Sequence, residues 1–380
     1  MQSNTATESA KTHLNIVIAP DSLKSTASAP DAARWLREGA LAACAAAGIT
    51  PEIQVVPMAD GGEGTAACFA GQVVTLPTTD AIGRLTEASY VFDPSTTTAY
   101  IDIAAASGLP QVQDSLQPLQ ADTFGTGVLI ADAQTRGATR IVLALGGSAS
   151  TDGGTGILTA LGAQPLDERG LPLRPGGGDL HRVASVDTAQ LNIPAAAVEW
   201  VLLADVHATA TGPTGTAATY GPQKGANREQ VALLEGGIAQ WCEVSGIDPQ
   251  VPMLGAAGGV AIGIFWLSSL LHGSGEHVHL LPGAQVVAET LGLPERANKA
   301  DLIITAEGGF NEQSLDGKVV GTVLDLAGPN TTVAVAAGSF HSPLPTTNTL
   351  KIELPQDEQV REQLLWAGRN AVEQYLQVSR

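Results

Sequence analysis

Short runs of β-branched and aliphatic residues recur along this chain, separated by longer segments rich in alanine and leucine. That alternation constrains the fold more than any other feature, because it is the pattern of an α/β protein with a mostly parallel sheet. The runs at 14–19 (LNIVIA), 53–57 (IQVVP), 99–104 (AYIDIA), 140–145 (RIVLAL), 199–204 (EWVLLA), 301–305 (DLIIT) and 332–337 (TVAVAA) read as strands. Several are apolar almost throughout, as strands buried on both faces must be. Ser28, Pro30 and Asp31 open a helix that runs to Gly48, and Thr126 is the expected cap of a helix ending at Gly137. Further helices are expected near 155–162, 228–244, 284–291, 319–327 and 357–376, whereas 166–197 is richer in Pro and Gly and reads as a loop-rich elaboration.

With 380 residues the chain can build two or three domains. Its formal charge of −19 would repel nucleic acid and anionic membranes, so neither is expected as a partner. Cys44, Cys68 and Cys242 are widely spaced in apolar runs, which argues for buried thiols in a reducing cytoplasm and against a disulfide framework or zinc site. The polar start, 1–13, carries no signal or transit pattern and is expected to be a flexible tail. The uncharged stretch between Pro249 and Gly275 is long enough to cross a bilayer, but its five glycines and acidic flanks favour a Gly-rich turn leading into a buried helix.

The chemistry concentrates where strands end. PDSLKST follows the first strand, PMADGGEGT the second, GGSASTDGGTG the run at 140–145, AEGGFNEQSLDGK the run at 301–305, and GSF the run at 332–337. In an open parallel sheet the carboxyl ends of the strands face one edge, where ligands bind. These loops carry the carboxylates Asp21, Asp60, Glu63, Asp152, Glu307 and Asp316, the hydroxyls Ser148, Ser150 and Thr151, and glycines that let backbone N–H groups approach an anion. LGGSASTDGGTG, between a strand and a helix, is the best anion cradle, although a Gly-rich hinge would also explain it. Of six lysines, Lys24, Lys224 and Lys318 fall in Gly- or Ser-rich loops. An acidic protein that binds a polyanion needs such local positive charge. Together these groups suggest metal-assisted phosphoryl transfer, with Mg²⁺ held by one or two carboxylates and nucleotide oxygens. Neither G-x-x-x-x-G-K-[ST] nor a G-x-G-x-x-G after a strand is present, and no G-x-S-x-G elbow occurs. His277 and His279 in HGSGEHVHL could chelate a metal if extended, but a polar loop is the better reading.

The ordered set IVIAPDSLKST, PMADGGEGT, AAASGL, DTFGTG, LGGSASTDGG, GPQKGA, GAAGG, DLIIT with its following EG, and QSLDGK resembles the bacterial glycerate kinase family of the two-domain type, from Leu14 to about Pro343. The resemblance implies ATP-dependent, Mg²⁺-assisted phosphorylation of D-glycerate, most simply at the 2-hydroxyl. It implies a Rossmann-like parallel-sheet domain formed by both chain ends (14–75 and 285–380) carrying an inserted second α/β domain (76–284), with the active site in the interdomain cleft. It leaves room for a homodimer in the cytoplasm.

By that resemblance Lys24, Asp60, Asp205 and Lys318 are the catalytic candidates. Asp205, or else Asp21, would take the hydroxyl proton. Asp21, Ser22, Gly146, Gly147, Ser148, Ser150, Asp152, Lys224, Gln313 and Ser314 would bind substrate or phosphate, and Asp60, Glu63 and Glu307 would arrange the metal. The chain departs from the family's usual residues at Thr151, Ala208, Thr209, Ala306, Gly309 and Asn311, which keeps an impaired ligand-binding paralogue or a kinase for another small hydroxy acid as alternatives.

Overall fold

The computed structural model describes residues 13–23, 26–315, 317–345 and 348–378. In chain order these form β1 (His13–Ile18), α1 (Ala29–Ala47), β2 (Thr50–Val55), β3 (Gln72–Thr79), β4 (Leu85–Asp93), β5 (Thr98–Asp102), α2 (Ala104–Ser107), α3 (Phe124–Thr135) and β6 (Arg140–Ala144). There follow α4 (Thr155–Ala160), β7 (Gln164–Leu166), β8 (Ser185–Asp187), α5 (Ile193–Ala196), β9 (Glu199–Ala204), α6 (Thr216–Tyr220), α7 (Arg228–Ser245) and α8 (Val260–His272). The remainder comprises β10 (Val278–Pro282), α9 (Gly283–Thr290), α10 (Leu293–Ala297), β11 (Leu302–Glu307), α11 (Val319–Leu326), β12 (Thr332–Ala337), β13 (Thr349–Glu353) and α12 (Val360–Val378).

The chain divides into two compact units, residues 1–58 with 288–380 and residues 59–287. In the first, five parallel strands lie in the order β13-β12-β11-β1-β2, so the two chain ends share one sheet. Its core gathers Leu14, Ile16 and Ile18 of β1, Leu302 and Ile304 of β11, and the inner faces of α1 and α12. Ser28 caps α1 as expected, its Oγ accepting from Asp31 N at 3.2 Å with Pro30 in the first turn.

The second unit holds a six-stranded sheet in the order β10-β9-β6-β5-β4-β3. β5, β6, β9 and β10 run parallel, whereas β3 and β4 form an antiparallel hairpin at one edge. That hairpin escapes the sequence reading because its strands are half-exposed and polar, and Pro77 is tolerated in β3 only because β3 is an edge strand. Residues 59–75 and 285–287, expected with the first unit, fall in the second. The uncharged stretch becomes the turn at 256–258 and the buried helix α8, whose Val260, Ile262, Ile264 and Leu267 are core residues. Among the described residues no helix is long and apolar enough to cross a membrane.

Two further sequence expectations are corrected. Thr126 does not cap α3, which begins at Phe124. It lies inside the helix, where its Oγ1 shares a hydrogen bond of 2.9 Å with Ser107 Oγ. Cys44 and Cys242 are buried, but Cys68 is only half-buried.

Candidate active site

In the second unit the parallel strands end at a common level, because Asp102 pairs with Ala144 and Ala144 with Leu203. Gly146 and Asp205 therefore leave adjacent strands side by side, each two residues beyond that last pair. The loop Asp60–Gly64 runs across these ends. Gly146 N donates to Gly61 O at 2.9 Å, and Asp102 receives Gly64 N on Oδ2 at 2.8 Å and Ala66 N on Oδ1 at 2.9 Å. Asp60 Oδ1 accepts from Gly62 N at 3.0 Å, and Thr65 Oγ1 donates to Gly62 O at 2.7 Å. Glycine is required at 61, where φ is 95° and a Cβ would lie 2.9 Å from Leu203 O. The clustering of acids and glycines in MADGGEG thus has a physical cause: the backbone is pressed onto the strand ends, and Glu63 is left exposed. Burial pushes the Asp102 carboxyl up to about 6, with the two N–H groups pulling against it.

The loop after β6 is pinned at several points. Leu109 N donates to Gly147 O and Ala149 N to Ser107 O, both at 2.9 Å, and Gly153 N donates to Gly258 O at 3.0 Å. Gly147 is left-handed (φ 77°), a backbone conformation that favours glycine. Among the described residues nothing accepts the N–H of Gly147 or Ser148. Lys224 Nζ donates to Ser148 Oγ at 3.2 Å and to Ser150 O. Lys224 is 3 % exposed, and burial pulls its ammonium down to about 8 while the Asp152 charge opposes the shift.

The helix expected to cradle an anion after this loop does not do so. α4 has six residues, and its first N–H groups are already taken by the fully buried Asp152. That carboxylate accepts from Thr123 N (2.9 Å), Thr123 Oγ1 (2.7 Å), Gly156 N (3.0 Å) and Gly154 N (3.3 Å). Asp152 is a strut that joins the starts of α3 and α4, and the anion-facing donors lie earlier in the loop, at 147 and 148.

In the first unit the ends of β1 and β11 carry the remaining candidates. Asp21 N donates to Ala306 O at 2.9 Å, and Asp21 Oδ1 accepts from Ser22 N at 2.7 Å. Glu307 closes β11, 9 % exposed, and its Oε2 accepts from Ser314 Oγ at 3.1 Å. Ser314 Oγ in turn accepts from Asn311 N at 3.1 Å, and Asn311 Oδ1 accepts from the exposed Gln313 at 2.9 Å. Lys318 stands at the N-cap of α11. Lys24 and Asp316 lie outside the described residues, as does almost all of the 1–13 tail.

Asp60 and Glu63 thus share a loop in the second unit, and Glu307 belongs to the first. Among the described residues no three His, Cys, Asp or Glu side chains converge on a point that could hold a metal ion, and His277 and His279 are no exception. Such carboxylates suit a hard cation bound chiefly by phosphate oxygens and water, which needs only one or two protein ligands.

A family model for the glycerate kinase family matches residues 16–355. The chain belongs to the glycerate kinase family. A glycerate 2-kinase from Escherichia coli K12 is 35 % identical over 318 residues, covering 80 % of each chain. A glycerate kinase from Bacillus subtilis 168 is 34 % identical over 315 residues, covering 80 % of this chain and 79 % of its own. The solved structure of a candidate glycerate kinase 2 from Salmonella typhimurium LT2 superposes with a TM-score of 0.79 at 30 % identity, over 97 % of this chain and 98 % of that one. The protein is therefore an α/β enzyme of the kinase class, like its glycerate kinase relatives.

Sequence reasoning overlooked Asp102, Thr123 and Ser107, which hold the two loops of the second unit from behind, and Asp122 next to Thr123. Their signal was an acid at the end of an apolar strand and the DTFGTG string itself. Asp122 accepts from Phe124 N at 2.9 Å, and burial with the nearby Asp152 charge pushes its carboxyl up to about 7. Between about pH 4 and 7 the folded chain keeps this proton and the unfolded chain loses it, so Asp122 contributes stability at low pH that is lost as pH rises through 7. Asp122→Asn keeps the acceptor and removes the charge. Its melting temperature should exceed that of the parent at pH 8 and converge with it near pH 4; a constant offset across that range would remove Asp122 from the pH dependence.

Proposed function

We propose that the protein transfers the γ-phosphoryl group of ATP to the 2-hydroxyl of D-glycerate, assisted by Mg²⁺. The observation that carries this reading is the pair of N–H groups at Gly147 and Ser148 that meet no acceptor among the described residues, set beside a carboxylate-bearing loop at one sheet edge. An anion cradle beside acidic groups is what positioning and charge stabilisation of a transferring phosphoryl group require. The name of the E. coli relative supports the 2-hydroxyl as acceptor.

In the proposed reaction the acceptor oxygen forms a bond to the γ-phosphorus as the bond to the β,γ-bridging oxygen breaks, releasing ADP. Asp205, at the end of β9, takes the hydroxyl proton. Its charge is felt by Tyr220, whose hydroxyl is raised mainly by burial and secondly by Asp205. Gly147 and Ser148 hold an oxyanion, and Lys24 and Lys318 supply positive charge. Asp60, Glu63 and Glu307 are the residues that would hold Mg²⁺, which when bound neutralises phosphate oxygens. Ser314 keeps one Glu307 oxygen in place.

The test is ATP consumption by the purified protein with Mg²⁺ and D-glycerate, with phosphorus NMR of the product. Formation of 2-phosphoglycerate is expected. A 3-phosphorylated product would overturn the assigned position, and turnover only with another hydroxy acid would overturn the acceptor.

A further inference from the structure

Lys224 was expected to bind substrate or phosphate, yet its ammonium is enclosed and already has partners inside the protein. It reaches the loop after β6 from the turn that follows α6, where Lys224 N donates to Gly221 O at 3.0 Å. A lysine ammonium only donates, so in the 3.2 Å contact Ser148 Oγ must be the acceptor. That leaves the Ser148 hydroxyl proton to be given to some other acceptor. Among the described residues none takes it, and the same is true of the N–H groups of Gly147 and Ser148. A cation behind the oxygen also polarises the hydroxyl and strengthens it as a donor.

We propose that Lys224 is a positioning residue that fixes Ser148 as an outward hydrogen-bond donor, completing with the N–H groups of Gly147 and Ser148 a three-donor seat for one oxyanion of the substrates. The inference rests on the kinase reading for the identity of that oxyanion, which is either the acceptor carboxylate or a phosphoryl oxygen of the nucleotide. Ser148 meets the ligand. Lys224 acts through Ser148 and through Ser150 O, and does not touch the ligand itself.

The experiment compares Lys224→Met, Ser148→Ala and the double variant in steady-state kinetics. Each single change should raise one KM about tenfold or more and change kcat less. A raised KM for D-glycerate assigns the carboxylate, and a raised KM for ATP assigns the phosphoryl oxygen. The double variant should be no worse than the worse single, since both remove the same donor. Effects that multiply, or a loss confined to kcat, would overturn the proposal.

If Lys224→Met does not fold, Ser148→Ala and Ser148→Thr decide alone: the first should raise the KM, and the second, which keeps the hydroxyl, should restore it. An unchanged KM in Ser148→Ala would sink the idea. Should the parent protein fail to phosphorylate D-glycerate, the kinase reading falls separately, and calorimetry with inorganic phosphate takes over. Weaker phosphate binding by Ser148→Ala than by the parent supports the three-donor seat, whereas equal binding, or none by the parent, overturns it.

Discussion

Replacing Gly146 with alanine is expected to lower kcat/KM by about 100-fold or more, while the protein still folds. A Cβ at this position would lie 2.5 Å from Gly62 Cα, and the nearest atoms it would meet, Gly62 Cα and N and Gly61 O, are all backbone, so none can rotate away. The loop Asp60–Gly64 would have to lift from the strand ends, weakening the Gly146 N to Gly61 O bond and shifting Asp60 and Glu63. A displacement of about 1 Å in groups that position a reacting phosphate costs on the order of 100-fold. The overpacking itself costs about 1–3 kcal/mol. Gly236→Ala is the control, because nothing lies within 4 Å of its new methyl group and it sits inside α7. There activity should be unchanged and stability slightly raised. Equal activity in Gly146→Ala and its parent would show that the loop's seat on β6 is irrelevant to turnover.

Asp152→Ala should be among the most destabilising single changes in the second unit. It leaves Thr123 N, Thr123 Oγ1, Gly154 N and Gly156 N without their acceptor in a fully buried place, and it removes the charge facing Lys224. Breaking a buried charged network of this kind costs about 3–5 kcal/mol, with unpaired donors responsible for much of it. For a unit of this size that corresponds to a drop of roughly 6–20 °C in melting temperature. Asp152→Asn, which retains one acceptor oxygen, should fall between the two. Thermal melts followed by near-ultraviolet dichroism measure all three, and a midpoint within 2 °C of the parent for Asp152→Ala would refute the strut assignment.

The strands were legible in the sequence wherever both faces are buried. Residues 199–204 and 332–337 match β9 and β12 because an apolar run between turn residues permits little else. β3 and β4 were not legible, since a half-exposed edge hairpin with mixed polarity lacks that signature. At the candidate site, the motifs single out the loops at the strand ends, but not the division of labour within them. Asp152 and Lys224 look like ligand-binding groups from their company of glycines and serines. Only burial and partner distances show that their hydrogen bonds are turned inward. Conversely Asp102 shows in the sequence only as an acid at the end of an apolar strand, and which loop its two oxygens hold appears only in the structure.

The first unit's sheet places β1 between β2 and β11, and this has a consequence for the order of events during synthesis. Ile16 of β1 pairs with Leu302, so its second neighbour emerges only after the whole of the second unit has been made. At about 5–20 residues per second, β1, α1 and β2 wait on the order of 15–60 s with apolar surface such as Leu36 and Ile18 uncovered. The second unit, contiguous in sequence, can close in that interval. Slow, late completion of the first sheet makes this segment the one most in need of chaperone protection, and the one whose misassembly would govern the yield of active enzyme.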